Sequence, residues 1–236
     1  MSKVWLLKRI NVFEMLPPKA MSQLATLVED RVIKKGDFVF RAEDKGDYIY
    51  MLKSGRVKIS RFSKDGRELV LGVVEPGEMF GEEAIPGLPR KRSAFAEVLE
   101  DAIICRLRVE EFNKMLKEFP DLSVEFTKLM SERLEEARNR MEDFVFRSIP
   151  ERLAGFLLSM SEKHGEKTDR GIHINTKITH QEIASRIGST RETVTAALNE
   201  FKRKNIIASD KRKLVITDKE ALQKIYAKNA PEGERI

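Results

Sequence analysis

Cysteine, tryptophan and histidine are scarce in this 236-residue chain, with one, one and three copies respectively. A lone thiol, Cys105, closes no internal disulfide and ligates no cysteine-held iron–sulfur cluster. Between Ile104 and Arg106 it reads as a packing residue in a strand rather than as a haem ligand. His164, His173 and His180 fall on different elements, so no metal site is expected. No run approaches the ~18 apolar residues of a membrane span. The first sixteen residues carry scattered charges and no small-residue cleavage site, which argues against a signal peptide. Together these absences predict a cytoplasmic protein without a membrane partner. Low-complexity stretches are missing as well.

Hydrophobic residues make up 41% and charged residues 35%, a globular balance, and the length suits two domains. The net charge is +6 and is unevenly placed. From Arg147 onward 18 lysines and arginines face 12 aspartates and glutamates, so the whole excess sits in the last third. That asymmetry suggests a polyanionic partner for the C-terminal part, although a surplus of solvated lysines gives the same count.

Up to about residue 30 the chain reads as short helices, with Leu6, Leu7, Ile10 and Phe13 at helical spacing and Met21, Leu24 and Leu27 on one face after Pro17-Pro18. From 31 to 108 the texture changes. Short apolar runs, Asp37–Phe40, Tyr48–Leu52, Arg56–Phe62 and Glu68–Val74, alternate with turn signals at Lys35-Gly36, Lys45-Gly46, Ser54-Gly55, Asp65-Gly66 and Pro76-Gly77. Turns about every ten residues between short strands predict a β-sandwich or barrel. Residues 109–118 read as a helix. A longer one runs from Pro120 to about Phe146 without an internal Gly or Pro. Phe126, Met130, Leu134, Ala137, Met141 and Phe144 form its apolar stripe. At ~39 Å such a helix exceeds what a small domain needs, which favours a dimer seam over packing on its own domain. Pro150 ends the pattern, placing a linker at 147–150. Then follow a helix over Arg152–Met160, a polar loop over Ser161–Gly171 and a short strand beginning at Ile172.

The most specific signal lies at 179–201. Thr179 and Glu182 form a capping box. Ile183, Ala184 and Ile187 face inward, Gly188 makes a turn, and Ser189 or Thr190 caps a second helix with Val194, Ala197, Leu198 and Phe201 buried. Arg191, Glu192, Thr195, Ala196 and Asn199 occupy its opposite face. This is the layout of a helix-turn-helix that reads the major groove of double-stranded DNA. Arg191 suits guanine O6 and N7, and Glu192 suits cytosine N4, unless Glu192 instead caps with Ser189. Thr179, His180, Gln181, Ser189 and Thr190 are candidate phosphate contacts, with His180 equally readable as a merely exposed polar side chain. Residues 206–216 read as a hairpin wing that adds the charges of Lys211, Arg212 and Lys213. A helix over Lys219–Ala230 ends the chain.

From about Phe13 to Thr217 these residues resemble the Crp/Fnr family of bacterial regulators, the cyclic-AMP receptor and fumarate-nitrate-reductase regulators. Gly188-Ser-Thr-Arg-Glu-Thr-Val194 is close to the family's recognition-helix motif. The resemblance implies an α+β protein: a jelly-roll cyclic-nucleotide-binding-like sensor (1–118), a dimerisation helix (119–146), a winged helix-turn-helix (147–218) and a C-terminal helix and tail (219–236). Phe80-Gly-Glu-Glu-Ala84 followed by Arg92-Ser93-Ala94 resembles the family's phosphate-binding cassette. By that match Arg92 and Ser93 hold a cyclic phosphate, helped by the backbone around Gly81, Glu82 and Glu83, and Glu82 accepts from the ribose. The competing reading of Arg90-Lys91-Arg92 is an exposed basic loop.

The chain departs from the pattern at two places. Where the cyclic-AMP receptor has an adenine-reading Thr-Ser pair, this chain has Ala137-Arg138. Arg133 and Arg138 therefore leave open an anionic effector such as 2-oxoglutarate, although relatives binding that effector lack the counterpart of Glu82. The family's further guanine-reading arginine falls at Ala196, which implies a half-site changed from a TGTGA-like core. The expectation is a homodimeric transcription regulator on a palindromic operator, controlled by an effector such as cyclic AMP. By resemblance alone, its polar loop also touches RNA polymerase. An effector-independent DNA binder is the alternative. A jelly-roll enzyme is set aside because residues 31–108 contain no histidine.

Overall fold

The computed structural model describes residues 7–8, 10–85, 91–176, 178–210 and 213–229. The chain divides into two compact units, Met1–Leu134 and Glu135–Ile236.

In the first unit a 3₁₀ turn (Asn11–Phe13) leads to α1 (Pro18–Leu27), with Pro18 at a helix start where its missing N–H costs nothing. Strands β1 (Glu29–Ile33), β2 (Phe38–Phe40), β3 (Tyr48–Phe62), β4 (Glu68–Val74), β5 (Met79–Phe80) and β6 (Phe95–Arg108) form one antiparallel sheet. Its main path is β1-β6-β3-β4, with β2 added to β6 and β5 to β3. Helix α2 (Val109–Glu118) follows, then α3 (Pro120–Phe146), which continues beyond this unit.

Side chains alternate across a strand, and here both faces are buried. Ile49, Met51, Cys105 and Leu107 meet Phe13, Met21, Leu24, Phe112 and Leu122 in a helix-covered core. Leu52, Ile104, Phe40, Phe80, Ala96 and Val98 fill the inside of the roll. Cys105 is buried as a packing residue, and its thiol lies 3.1 Å from Asp30 Oδ1. Burial, with that hydrogen bond, pushes its pKa up to about 12, so the thiolate is absent at neutral pH.

Ser54-Gly55 is not the turn its sequence suggests. Tyr48–Phe62 is a single 15-residue strand, and its register against β6 shifts around Ser54 and Arg56. Gly55 sits at φ +86° with backbone so close that a Cβ would lie 2.6 Å from the Asp101 carbonyl. The glycine makes a bulge that the long partner strand bridges.

The second unit contains the end of α3, α4 (Ile149–His164), β7 (Gly165–Thr168), β8 (Gly171–Ile174), α5 (His180–Ile187), α6 (Arg191–Arg203), β9 (Ile207–Asp210), β10 (Lys213–Ile216) and α7 (Lys219–Ala227). Its sheet runs β7-β8-β10-β9. Helix α4 starts three residues before the expected Arg152, because Ser148 and Glu151 form a capping box and Pro150 fits the first turn. The expected linker is a tight joint. The buried Arg147 stacks 3.6 Å from the Tyr226 ring centre, donates to the Tyr226 carbonyl and pairs with Asp143 at 2.7 Å. The expected polar loop is the end of α4 plus strand β7, whose four residues are all exposed and so leave no alternation to read. The expected C-terminal helix is α7, which joins this unit's core through Leu222.

Gly55→Ala should destabilise the first unit by roughly 2 kcal/mol or more, since it adds left-handed strain to a backbone clash. Chemical denaturation would register this as a lower midpoint at unchanged slope.

Candidate effector site and nucleic-acid interface

The first candidate site lies inside the roll. After β5 the chain turns through Gly81 (φ +78°) into a 3₁₀ turn, Glu82–Ala84. The arginine at 92 belongs to no exposed loop: its side chain is 1% exposed. One terminal nitrogen donates to the Gly81 carbonyl at 2.8 Å and to Glu83 Oε1 at 2.9 Å. The other donates to the Tyr48 carbonyl. The guanidinium lies over the Phe40 ring at 4.4 Å. Its Nε is buried and makes no hydrogen bond.

Arg133, on α3, pairs with Glu82 and also donates to the Met79 carbonyl. The second Glu82 oxygen, Oε2, is buried without a partner. The fold thus gathers Gly81, Glu82, Glu83, Arg92 and Arg133. Ser93 is exposed, and its carbonyl accepts from Arg61 at 2.8 Å. Ala137 and Arg138 are exposed in the second unit, where Arg138 pairs with Glu135 at 3.3 Å. Lys91 is exposed and salt-bridged to Glu43 at 2.8 Å, and Arg90 lies outside the described residues. Sequence reasoning missed Phe40 and the Tyr48 carbonyl, which reach Arg92 across more than forty positions, and assigned Glu83 only a backbone role.

The second candidate site is the helix pair α5–α6. Thr179 caps α5: its Oγ1 accepts from the Glu182 N–H at 3.1 Å, and Glu182 Oε2 accepts from the Thr179 N–H at 2.7 Å. Gly188 ends α5 at φ +63°, and a Cβ there would strike the Phe144 ring at 2.5 Å. The turn thus needs glycine for contact as well as for conformation. Thr190 is the cap of α6, accepting from the Thr193 N–H at 3.2 Å. That removes the alternative in which Glu192 caps with Ser189. Ile183, Ala184, Ile187, Val194, Ala197, Leu198 and Phe201 are buried as expected.

Arg191, Glu192, Ala196 and Asn199 are exposed on one face of α6, and Gln181 is exposed on α5. Ser189 differs from its neighbours, since its Oγ is buried without a partner. Thr195 is occupied internally. Its hydroxyl donates to the Arg191 carbonyl at 2.8 Å and lies 2.8 Å from His180 Nδ1. With the threonine proton committed to the carbonyl, the histidine must supply the proton of that second bond, which fixes the Nδ1–H tautomer. His180 is therefore no bystander but a bridge between the two helices. Lys211 and Arg212, and with them the expected wing tip, lie outside the described residues, while Lys213 on β10 is exposed. Among the described residues no helix is long and apolar enough to cross a membrane.

Comparison with known proteins matches both units. A cyclic nucleotide-binding domain model covers residues 30–119, and a Crp-like helix-turn-helix domain model covers 151–225. The chain is 29% identical over 217 residues to a CRP-like cAMP-activated global transcriptional regulator of Mycobacterium tuberculosis, covering 92% of this chain and 96% of that one. It is 30% identical over 189 residues to the global nitrogen regulator of Synechocystis, covering 80% and 84%. Among solved structures, a CooA variant from Carboxydothermus hydrogenoformans superposes with a TM-score of 0.78 at 25% identity, covering 92% and 95%.

Burial, with the charges of Lys202 and Arg191, lowers the His180 pKa below its usual 6.5. The unfolded chain therefore binds this proton more readily, and stability is lost as pH falls below about 6.5. Thermal melts at pH 7.5 and 5.5 should show a drop in Tm that shrinks in His180→Gln. An undiminished drop in that variant would assign the proton elsewhere.

Proposed function

Because the chain belongs to the Crp/Fnr family of transcription regulators, we propose that it is a homodimeric, sequence-specific DNA-binding regulator whose switch is a cyclic nucleotide such as cyclic AMP. The observation that carries the effector reading is a pair of unpartnered buried groups in one cassette, the Arg92 Nε donor and the Glu82 Oε2 acceptor. Buried polar atoms without partners are costly. A sugar phosphate satisfies both, its phosphate accepting from arginine and its ribose hydroxyl donating to the carboxylate. The Glu82 carboxylate also weighs against a dicarboxylate effector such as 2-oxoglutarate, which would bring like charge to the same place.

On the DNA side, Arg191 and Glu192 stand exposed at the N-terminal end of α6. That end of a recognition helix contacts base edges, and Gln181 and Thr190 border it as phosphate contacts. The exposed face of α3 supports dimerisation. Leu134, Met141 and Val145 are 64%, 68% and 73% exposed, and their spacing puts them on one flank of the helix. Two copies paired along this flank would present their recognition helices to operator half-sites about 34 Å apart.

Coupling runs through Glu82, whose partner Arg133 lies on the same helix as the seam. A ribose that engages the carboxylate perturbs that pair, and the effector acts by its preference for one arrangement of the helix over the other. The protein acts in the cytoplasm and performs no catalysis. The polar segment Ser161–Gly171, in which strand β7 is exposed, is the surface offered to RNA polymerase.

The test is calorimetry. Cyclic AMP should bind the wild type and lose measurable affinity for Arg92→Leu, with unchanged far-UV circular dichroism; equal affinity in both would reject the cassette. On an operator selected from random DNA, Arg191→Ala should lose roughly 10- to 100-fold in discrimination at one base pair. A variant that selects the same site equally well would reject the base-reading role.

A further inference from the structure

The buried Arg92 carries one positive charge and, among the described residues, is paired with one carboxylate, that of Glu83, 2.9 Å away. Its other partners, the Gly81 and Tyr48 carbonyls and the Phe40 and Tyr50 rings, are neutral. The adjacent Glu82 does not share this role, because its carboxylate pairs with Arg133. Two successive carboxylates on one 3₁₀ turn thus take two different arginines. Glu83 reaches Arg92 from the solvent side: its side chain is 42% exposed, so it can swing into water once an incoming anion takes over the buried guanidinium's charge.

We propose that Glu83 is a resident competitor for the effector's phosphate, occupying Arg92 until an anion displaces it and thereby setting both the affinity and the charge selectivity of the site. The inference rests on the cyclic-nucleotide reading above and names a residue that determines its specificity. An incoming phosphate that takes the unpartnered Nε shares the single charge of Arg92 with Glu83, which holds a terminal nitrogen of the same guanidinium, and the carboxylate, even when displaced, remains nearby as a like charge. That repulsion scales with the charge of the ligand. A cyclic phosphodiester carries one negative charge, whereas a phosphomonoester such as 5′-AMP approaches two at pH 7.5. Glu83 therefore penalises the monoester more than the cyclic ester and leaves an uncharged nucleoside unaffected.

The test titrates cyclic AMP, 5′-AMP and adenosine into the full-length wild type, Glu83→Gln and Glu43→Gln by calorimetry at pH 7.5. Glu43 is a control for the general field. It neighbours the cassette through Lys91, is 75% exposed and makes no side-chain contact with Arg92 among those described. Glu83→Gln should tighten cyclic AMP roughly tenfold and 5′-AMP by a larger factor, with adenosine unchanged, while Glu43→Gln should shift each by less than about twofold. Glu83→Ala, which also removes the hydrogen-bond acceptor, should move the same way and serves if the glutamine variant folds poorly. If Glu83→Gln binds cyclic AMP no more tightly than Glu43→Gln does, the competitor role is overturned and the cyclic-nucleotide reading stands. If neither wild type nor Glu83→Gln binds cyclic AMP, that reading falls, and this inference with it.

Discussion

A buried guanidinium organises the first unit. Arg92 is among the largest fully buried side chains of the protein, and an unpaired charge at such a depth costs several kcal/mol. The fold meets that cost with groups from three places: carbonyls of Tyr48 on β3 and Gly81 after β5, the Phe40 ring on β2, and the Glu83 carboxylate. Tyr48 and Phe40 are held by strand pairing and Gly81 and Glu83 by the turn after β5, so the arginine draws on several parts of the roll. The same charge is what a phosphate would seek. In the proposed function, structural need and ligand recognition draw on one side chain, and the balance between them is set by which anion sits beside it.

The second unit relies on smaller, more local devices. Caps at Ser148, Thr179, Thr190 and Asp218 start its helices, and three of these side chains accept directly from the backbone of the first turn. The bond between His180 and Thr195 ties the start of α5 to the outward helix α6, and the apolar stripe of α6 does the rest. Such an arrangement frees Arg191 and Glu192 from structural work. Neither caps the helix, and both face outward where a base edge can be met.

Much of this was legible in the sequence because it is local. Capping boxes, the αL glycine at 188 and the buried stripe of α6 all depend on residues within a few positions of one another. The cassette was legible only through its resemblance to a family, since no local pattern announces that Arg92 will stack on Phe40. Three features escaped. Gly55 looks like a turn, but β6 on the far side keeps pairing across it. Strand β7 has no buried face and therefore no period to detect. Arg147 reads as part of a linker, yet a tyrosine 79 positions away stacks on it and turns the linker into a joint. For Gly55 and Arg147 the deciding partner is remote in sequence, whereas β7 pairs with the strand that follows it and lacks only a pattern.

The closeness of Phe144 to Gly188 has a mechanical consequence. The ring belongs to the last turns of the long helix, and the glycine is the corner from which α6, the second helix of the helix-turn-helix domain, sets out. Because no side chain stands between them, a twist of the long helix about its own axis is delivered directly to that corner, like a cam turning against its follower, without first rearranging the hydrophobic interior.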